Sequence, residues 1–294
     1  MSTVGEPTLA VLGTGTIGEP IARNLVGAGF GVRVWNRTLE KAAPLEEAGA
    51  TVCDTPARAV AGAEFVLTTL SDADAVEETM EEDGALGAME NGAVWLQLST
   101  VGVAAAERFA ELAAERRVAY VDAPVLGSRQ PAERGELIVL ASGPAELRPR
   151  CAPVFDAVGK ETRWVGRAGV GSRLKMVVNM WLLAVTEAAA EALALAEGLA
   201  LDPHEFLETV RGSQIDTPYL QIKGEAILER SFEPSFKLAL AEKDSRLVLE
   251  AAELARVDLA VARAVHEKFA DAVELGHGDE DMAATYFATA PTHA

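Results

Sequence analysis

The first half of the chain alternates short β-branched runs with stretches whose apolar positions recur at helical spacing. The pattern predicts strands at 8–12, 31–35, 65–69, 93–97, 119–123 and 136–141, and helices at 17–28, 38–48, 55–61, 73–80 and 103–116. Strand–helix alternation with short connections predicts a doubly wound parallel α/β sheet with right-handed crossovers. After Val165 the strand signals stop, and from Ser172 onward the chain is rich in Ala, Leu and Glu and reads as helical. A helix from Ser172 to about residue 200 would be about 43 Å long at 1.5 Å per residue. It is apolar on most of its circumference, which predicts neighbours on nearly all sides.

The change of composition falls on Gly166-Arg167-Ala168-Gly169-Val170-Gly171. The expected division is an α/β domain over 1–166 and an all-α domain over 167–294, joined by the long central helix. Further helices begin with recognisable signals. Asp202-Pro203 combines an N-cap with proline at the first helical position. Residues 231–234 read as an extended loop before a helix from Phe236 to Ala255, and Asp258 precedes a last helix ending near Gly276-His277-Gly278.

Charge narrows the partners. The chain has 294 residues, with 26 Lys and Arg against 45 Asp and Glu, a formal charge of −19. Such a surface repels phosphate backbones and anionic lipid, so neither nucleic acid nor a membrane surface is expected as a partner. The apolar stretch 176–201 is interrupted by Asn179, Thr186, Glu187, Glu191 and Glu197, unlike a membrane span. Cys53 and Cys151 form no disulfide framework or metal-ligand pattern, and no basic n-region opens the chain. A cytoplasmic protein without a metal is the expectation.

Directly after the first strand comes Gly13-Thr14-Gly15-Thr16-Ile17-Gly18, leading into a helix. The first glycine permits the tight turn, the second lets backbone approach a pyrophosphate, and the third lets helix pack on strand. The helix N-terminus supplies amide dipoles. A bare βα turn is the alternative, and the strand–turn–helix context disfavours it, so a Rossmann-type nucleotide domain is expected. Where an acid would select NAD by binding the ribose hydroxyls, the second strand ends in Asn36-Arg37-Thr38. A guanidinium can grip a 2′-phosphate, which argues for NADPH/NADP+. A solvated arginine at a strand end is the alternative.

Two loops leave strand ends on the edge where such sheets bind ligands: Leu98-Ser99-Thr100-Val101-Gly102, and 122–128, which ends in Leu126-Gly127-Ser128. Read alone, each is equally consistent with an ordinary capping loop. Lys175 and Asn179 lie on one face of the long helix, about 40° apart. Buried there they are costly unless satisfied, and burial lowers a lysine pKa toward a range useful for proton transfer. Alone, the pair is equally consistent with a lysine reaching solvent near the helix start and an asparagine bonding a loop.

In order and spacing, five segments resemble the β-hydroxyacid dehydrogenase family (3-hydroxyisobutyrate dehydrogenase and relatives): Gly13–Gly18, Leu-Ser-Thr at 98–100, the run 122–128 with Gly135 downstream, Gly169 to Asn179, and Lys243-Asp244. The resemblance covers Leu9 to about Ala284. Trp35–Thr38 and Phe236–Asp244 look most like the NADPH-dependent glyoxylate and succinic semialdehyde reductase branch. It implies hydride exchange between the nicotinamide and a small carbonyl or hydroxy-acid substrate, with Lys175 as general acid/base and Asn179 orienting the substrate. It also implies a cofactor site of Gly13, Gly15, Thr16, Ile17, Gly18, Asn36, Arg37, Thr38, Thr100 and Lys243. Thr100, Gly127 and Ser128 would hold the substrate carboxylate, Leu126 would add apolar wall, and Phe236 and Asp244 would line the far side. Lys243 would reach the cofactor on closure.

One departure concerns the substrate: the family usually carries Ser where Leu126 stands, which suggests a bulkier or less anionic substrate than glyoxylate. Imine reductases share the expected fold and cofactor but generally replace the catalytic lysine. A non-catalytic NADP-binding protein gives no reason for both Lys175 and Asn179. A decarboxylating phosphogluconate enzyme would need a longer C-terminal half. Finally, so much Ala/Leu surface on the helical half predicts a homodimer or homotetramer formed through it.

Overall fold

The computed structural model describes residues 8–290, and by internal contacts the chain divides into two units. One runs to Lys175 and the other begins at Met176, inside the long helix.

The first unit opens with β1 (Thr8–Leu12), α1 (Gly18–Gly27), β2 (Gly31–Trp35), β3 (Thr51–Val52), α2 (Pro56–Val60) and β4 (Phe65–Thr68). It continues with α3 (Ala73–Glu77), α4 (Ala85–Ala88), β5 (Val94–Gln97), α5 (Val103–Glu115) and β6 (Ala119–Asp122). These six strands form one parallel sheet in the order β3-β2-β1-β4-β5-β6, the doubly wound arrangement that reverses direction beside β1. Both faces are covered. Leu9 and Val11 of β1 enter one apolar cluster with Ile21 and Leu25 of α1, whereas Ala10 and Leu12 enter another with Met80 and Phe109. Burial on both sides is why these strands read as continuous apolar runs.

A second, three-stranded sheet follows, with β7 (Val125–Leu126), α6 (Arg129–Glu133), β8 (Leu137–Ala141), α7 (Arg148–Val158) and β9 (Gly159–Trp164). This corrects the expectation for 136–141: β8 pairs antiparallel with β7 and parallel with β9, outside the large sheet. The helix expected at 38–48 is also absent. Only two short 3-10 turns form, Leu39–Lys41 and Ala43–Leu45, because Pro44 lacks an amide hydrogen and disfavours helical geometry in the residue before it.

The long helix α8 (Val170–Gly198) has 29 residues. The second unit continues with α9 (Pro203–Val210), α10 (Pro218–Leu228), α11 (Leu238–Ala255) and α12 (Ala260–Ala272). Asp202 caps α9 by accepting the His204 amide. α11 begins two residues later than expected and leaves Phe236 in the preceding loop. By length and composition α8 could cross a membrane, and 44% of its most apolar window is buried. The expected neighbours on nearly all sides are not met within one chain, since Val177, Trp181 and Leu195 are exposed.

Candidate active site

The glycine loop between β1 and α1 shows why each glycine is there. At Gly13, with φ +101°, a Cβ would lie 2.6 Å from Thr69 O, and at Gly18 one would lie 2.0 Å from Gly13 O. At Gly15 there is nothing within 4 Å, so its backbone faces open space. Gly15 and Thr16 are exposed, and Ile17 is half-buried. Glu19 N donates to Gly15 O, and the amides just before it lack an intrahelical acceptor. Two crowded glycines and one open one fit the close approach of a dinucleotide pyrophosphate.

Asn36 joins the loop to β2. Its Oδ1 accepts the Thr14 amide at 3.0 Å and its Nδ2 donates to Thr38 O at 3.0 Å, so its side chain shapes the loop. Arg37 is 80% exposed, and its guanidinium lies 4.0 Å from the Glu78 carboxylate, a distance that holds it loosely. Cys53 lies nearby on the same side of the sheet, just beyond β3, and burial pushes its thiol pKa up.

Thr100 sits in the turn after β5, on a base that sequence reading did not single out. Buried Gln97 takes the Ser99 amide on Oε1 at 2.6 Å and gives its own amide to Ser99 O at 2.9 Å. Ser99 Oγ in turn accepts Leu70 N at 2.7 Å. A glutamine inside a buried parallel strand is the signal that could have pointed to this brace.

The strand β7 carries Leu126 and leads into Gly127 and Ser128. Gly127 has φ +125°, and a Cβ there would meet Leu137 Cδ2 at 2.8 Å, so this backbone admits only glycine without strain. Ser128 precedes the short helix α6 without capping it through its side chain. Beside this segment lies Lys175, half-buried, whose Nζ donates to Val125 O at 2.9 Å. The expected proton donor and the expected carboxylate loop are thus brought together within the first unit.

In the second unit, Asn179 is fully buried, and its Nδ2 donates to Asp244 Oδ2 at 2.7 Å. Its Oδ1 is buried and has no donor among the described residues. Asp244 also pairs with Lys243, whose Nζ lies 2.9 Å from Oδ1. Asp244 is 3% exposed, so the structure makes it a support for Asn179 and Lys243 rather than open wall. Phe236 is half-buried, and its amide donates to Asp281 Oδ2 at 3.3 Å. Asp281 is the centre of a cluster the sequence did not disclose. Its Oδ1 takes Lys223 Nζ at 2.6 Å and the Ala283 amide at 3.0 Å, and its Oδ2 takes Ser235 Oγ at 2.8 Å. Burial works against the Asp281 charge, yet the Lys223 ammonium and these bonds hold its carboxyl below the usual range. Among the described residues, no group of three or more His, Cys, Asp or Glu is placed to hold a metal.

Comparisons with known proteins agree on the family. Residues 8–166 match the NAD-binding domain of 6-phosphogluconate dehydrogenase, and residues 169–288 match the NAD-binding family of NADP-dependent 3-hydroxyisobutyrate dehydrogenase. Glyoxylate/succinic semialdehyde reductase 1 of Arabidopsis thaliana is 34% identical over 274 residues, 93% of this chain and 95% of the relative. A 3-hydroxyisobutyrate dehydrogenase from Mycobacterium tuberculosis, solved with L-serine, superposes with a TM-score of 0.86 at 27% identity, covering 96% of this chain and 98% of that one. An imine reductase from Myxococcus stipitatus with NADP+ gives a TM-score of 0.64 at 25% identity, covering 95% and 98%.

Proposed function

The chain belongs to the β-hydroxyacid dehydrogenase family, and we propose that within it the protein is an NADPH-dependent reductase interconverting a small aldehyde or keto acid and its hydroxy acid. It is an NAD(P)-binding oxidoreductase, and the imine reductase reading is not favoured, given the weaker structural likeness and the lysine at 175. Preference for NADPH rests on Arg37, exposed and loosely held just past β2 and able to grip a 2′-phosphate, with neutral Asn36 in place of an acid.

One observation carries the chemistry: Lys175 holds its ammonium on Val125 O, at the strand that runs into Leu126-Gly127-Ser128. When bound, NADPH supplies the hydride. Lys175 gives a proton to the substrate oxygen as it becomes an alkoxide and recovers that proton in the reverse direction. Asn179, held on its Nδ2 side by Asp244, orients the substrate and supports Lys175. Thr100 and the backbone of Gly127 and Ser128 take the carboxylate. Leu126 removes a hydroxyl from that clamp and favours a bulkier or less anionic substrate than glyoxylate. Phe236 supplies apolar wall, and Lys243 a charge toward the cofactor.

We also propose a homo-oligomer, in which a second copy covers the exposed apolar side chains of the helical unit, among them Val177, Trp181, Ile222, Leu254 and Val261. A single-chain mass by light scattering at micromolar concentration would overturn this. A cytoplasmic location belongs to the same proposal, supported by the two free cysteines and checked by cell fractionation.

The test is NADPH oxidation against aldehyde acids and keto acids. Lys175→Ala should cut kcat by about 10² to 10⁴ with NADPH affinity nearly intact, and near-wild-type turnover refutes the proton role. In the same assay Arg37→Asp should move preference toward NADH, and an unchanged cofactor ratio rules out the phosphate contact. Leu126→Ser should turn over glyoxylate faster than the parent, and equal rates remove the specificity argument.

A further inference from the structure

α8 begins without a cap of its own. The residue before it is Gly169, with φ +89° and no side chain, although the first amides of a helix need acceptors. The acceptors come from two distant strand ends. Asp122, the last residue of β6 and fully buried, accepts Ser172 N on Oδ2 at 2.8 Å and Ser172 Oγ on Oδ1 at 2.7 Å. Ser142, just past β8, accepts Gly171 N on its hydroxyl at 2.9 Å, and its Oγ lies 3.1 Å from Asp122 Oδ2. The backbones of Asp122 and Ser142 bond each other in both directions, at 2.9 and 2.7 Å. The helix start is also pressed onto β8, since a Cβ on Gly171 would lie 2.2 Å from Leu140 O.

Lys175 follows Ser172 by three residues and therefore shares its side of the helix. Its ammonium bonds Val125 O, and Val125 follows Asp122 across Ala123-Pro124. One short segment thus grips the same helical turn twice, through its carboxylate on the backbone and through a carbonyl on the lysine tip. The groups that bear most on the Asp122 carboxyl are the hydroxyls and amides of Ser172, Ser142 and Gly169, with burial pushing it up. A negative group at a helix N-terminus is, in contrast, what the amide dipoles favour.

We propose that Asp122 is a positioning residue for the reaction, clamping the first turn of α8 so that Lys175 presents its proton at a fixed place beside β7. This rests on the reading of Lys175 as the proton donor. The hydrogen bonds, and not the bulk of the side chain, do the positioning. An asparagine can keep them, because its oxygen replaces Oδ2 and its amide donates to a Ser172 hydroxyl turned to accept.

The experiment compares Asp122→Ala, Asp122→Asn and Lys175→Ala in steady-state kinetics and NADPH titration, on protein shown folded by circular dichroism. Asp122→Ala should lose about 10²-fold in kcat, the effect of an ångström-scale misplacement, with NADPH Kd within about threefold. Asp122→Asn should recover most of that loss, and Lys175→Ala should be no slower when combined with Asp122→Ala. Should Asp122→Ala not fold, Ser172→Ala and Ser142→Ala each remove one arm of the clamp and should lower kcat in the same selective way. The proposal fails if folded Asp122→Ala keeps wild-type kcat, if it loses NADPH affinity in parallel with kcat, or if asparagine rescues nothing. An active Lys175→Ala would instead bring down the underlying reading of the lysine, whatever the Asp122 variants do.

Discussion

Asp122 in the nucleotide unit and Asp281 in the helical unit are buried to nearly the same degree and do similar work, yet their electrostatics are opposite. Each accepts bonds from backbone N–H and serine hydroxyl groups and so fixes a turn that carries a candidate functional residue, Lys175 in one case and Phe236 in the other. Asp281 also holds Lys223, and its carboxyl is stabilised in the charged form. Asp122 is given only neutral donors, and burial prevails over them. A buried carboxylate therefore reports on its partners: a cation turns it into a source of stability at neutral pH, and neutral donors alone leave it as a cost the fold carries for position.

The comparison is broken most forcefully by removing one half of the ion pair. Asp281→Ala leaves Lys223 buried and unpaired, and urea unfolding should show a loss of about 3–5 kcal/mol. A loss no larger than that of an ordinary surface substitution would mean that the pair contributes nothing. Glu187, on α8 and 4% exposed, asks whether the partner or the unit decides the sign. It lies in the helical unit but is held by the hydroxyls of Thr285 and Thr289, and burial raises its carboxyl to about 7, although Lys268 pulls the other way. A raised folded-state value means stability is lost as pH climbs from 4.5 toward 7. Relative to Glu187→Gln, the wild type should lose about 2–3 kcal/mol between pH 4.5 and 8, and parallel curves would discard the partner rule.

The smallest effect is the sharpest test of sign. Asp122 has a raised value, so the wild type should lose stability relative to Asp122→Asn as pH rises above 3.8. Asp281 has a lowered value, so its contribution is present above 3.8 and is lost as pH falls through the folded-state value. Urea melts of Asp122→Asn and Asp281→Asn between pH 3 and 6 should therefore diverge from the wild type with slopes of opposite sign. Slopes of the same sign would end the comparison.

What could be read from the sequence was local. The glycine loop, strands β1, β2 and β4 to β6, and the cap at Asp202 each depend on a few consecutive residues whose periodicity and turn chemistry are explicit. β3 and β7, each two residues long, carry too little pattern to be seen, and β8 gave a clear strand signal without revealing which sheet would take it. The helices α6 and α7 are broken in pattern by Pro131, Pro149 and Pro153. Within the candidate site, Lys175 and Asn179 stood out because polar groups on an apolar helix are costly. The supports around the site did not, since Asp122 reaches the first turn of α8, and Asp281 the Phe236 amide, through contacts 45 or more residues apart in the chain that no spacing encodes.

The exposed indole on the long helix carries an optical consequence. Of the four tryptophans, Trp35 and Trp95 are buried and Trp164 is half-buried, whereas Trp181 is 66% exposed. Its fluorescence should dominate the red edge of the emission band and be the part most open to iodide quenching. If the proposed oligomer forms, dilution through its dissociation midpoint would register as a wavelength drift from one native fluorophore, six residues beyond the lysine, without any label.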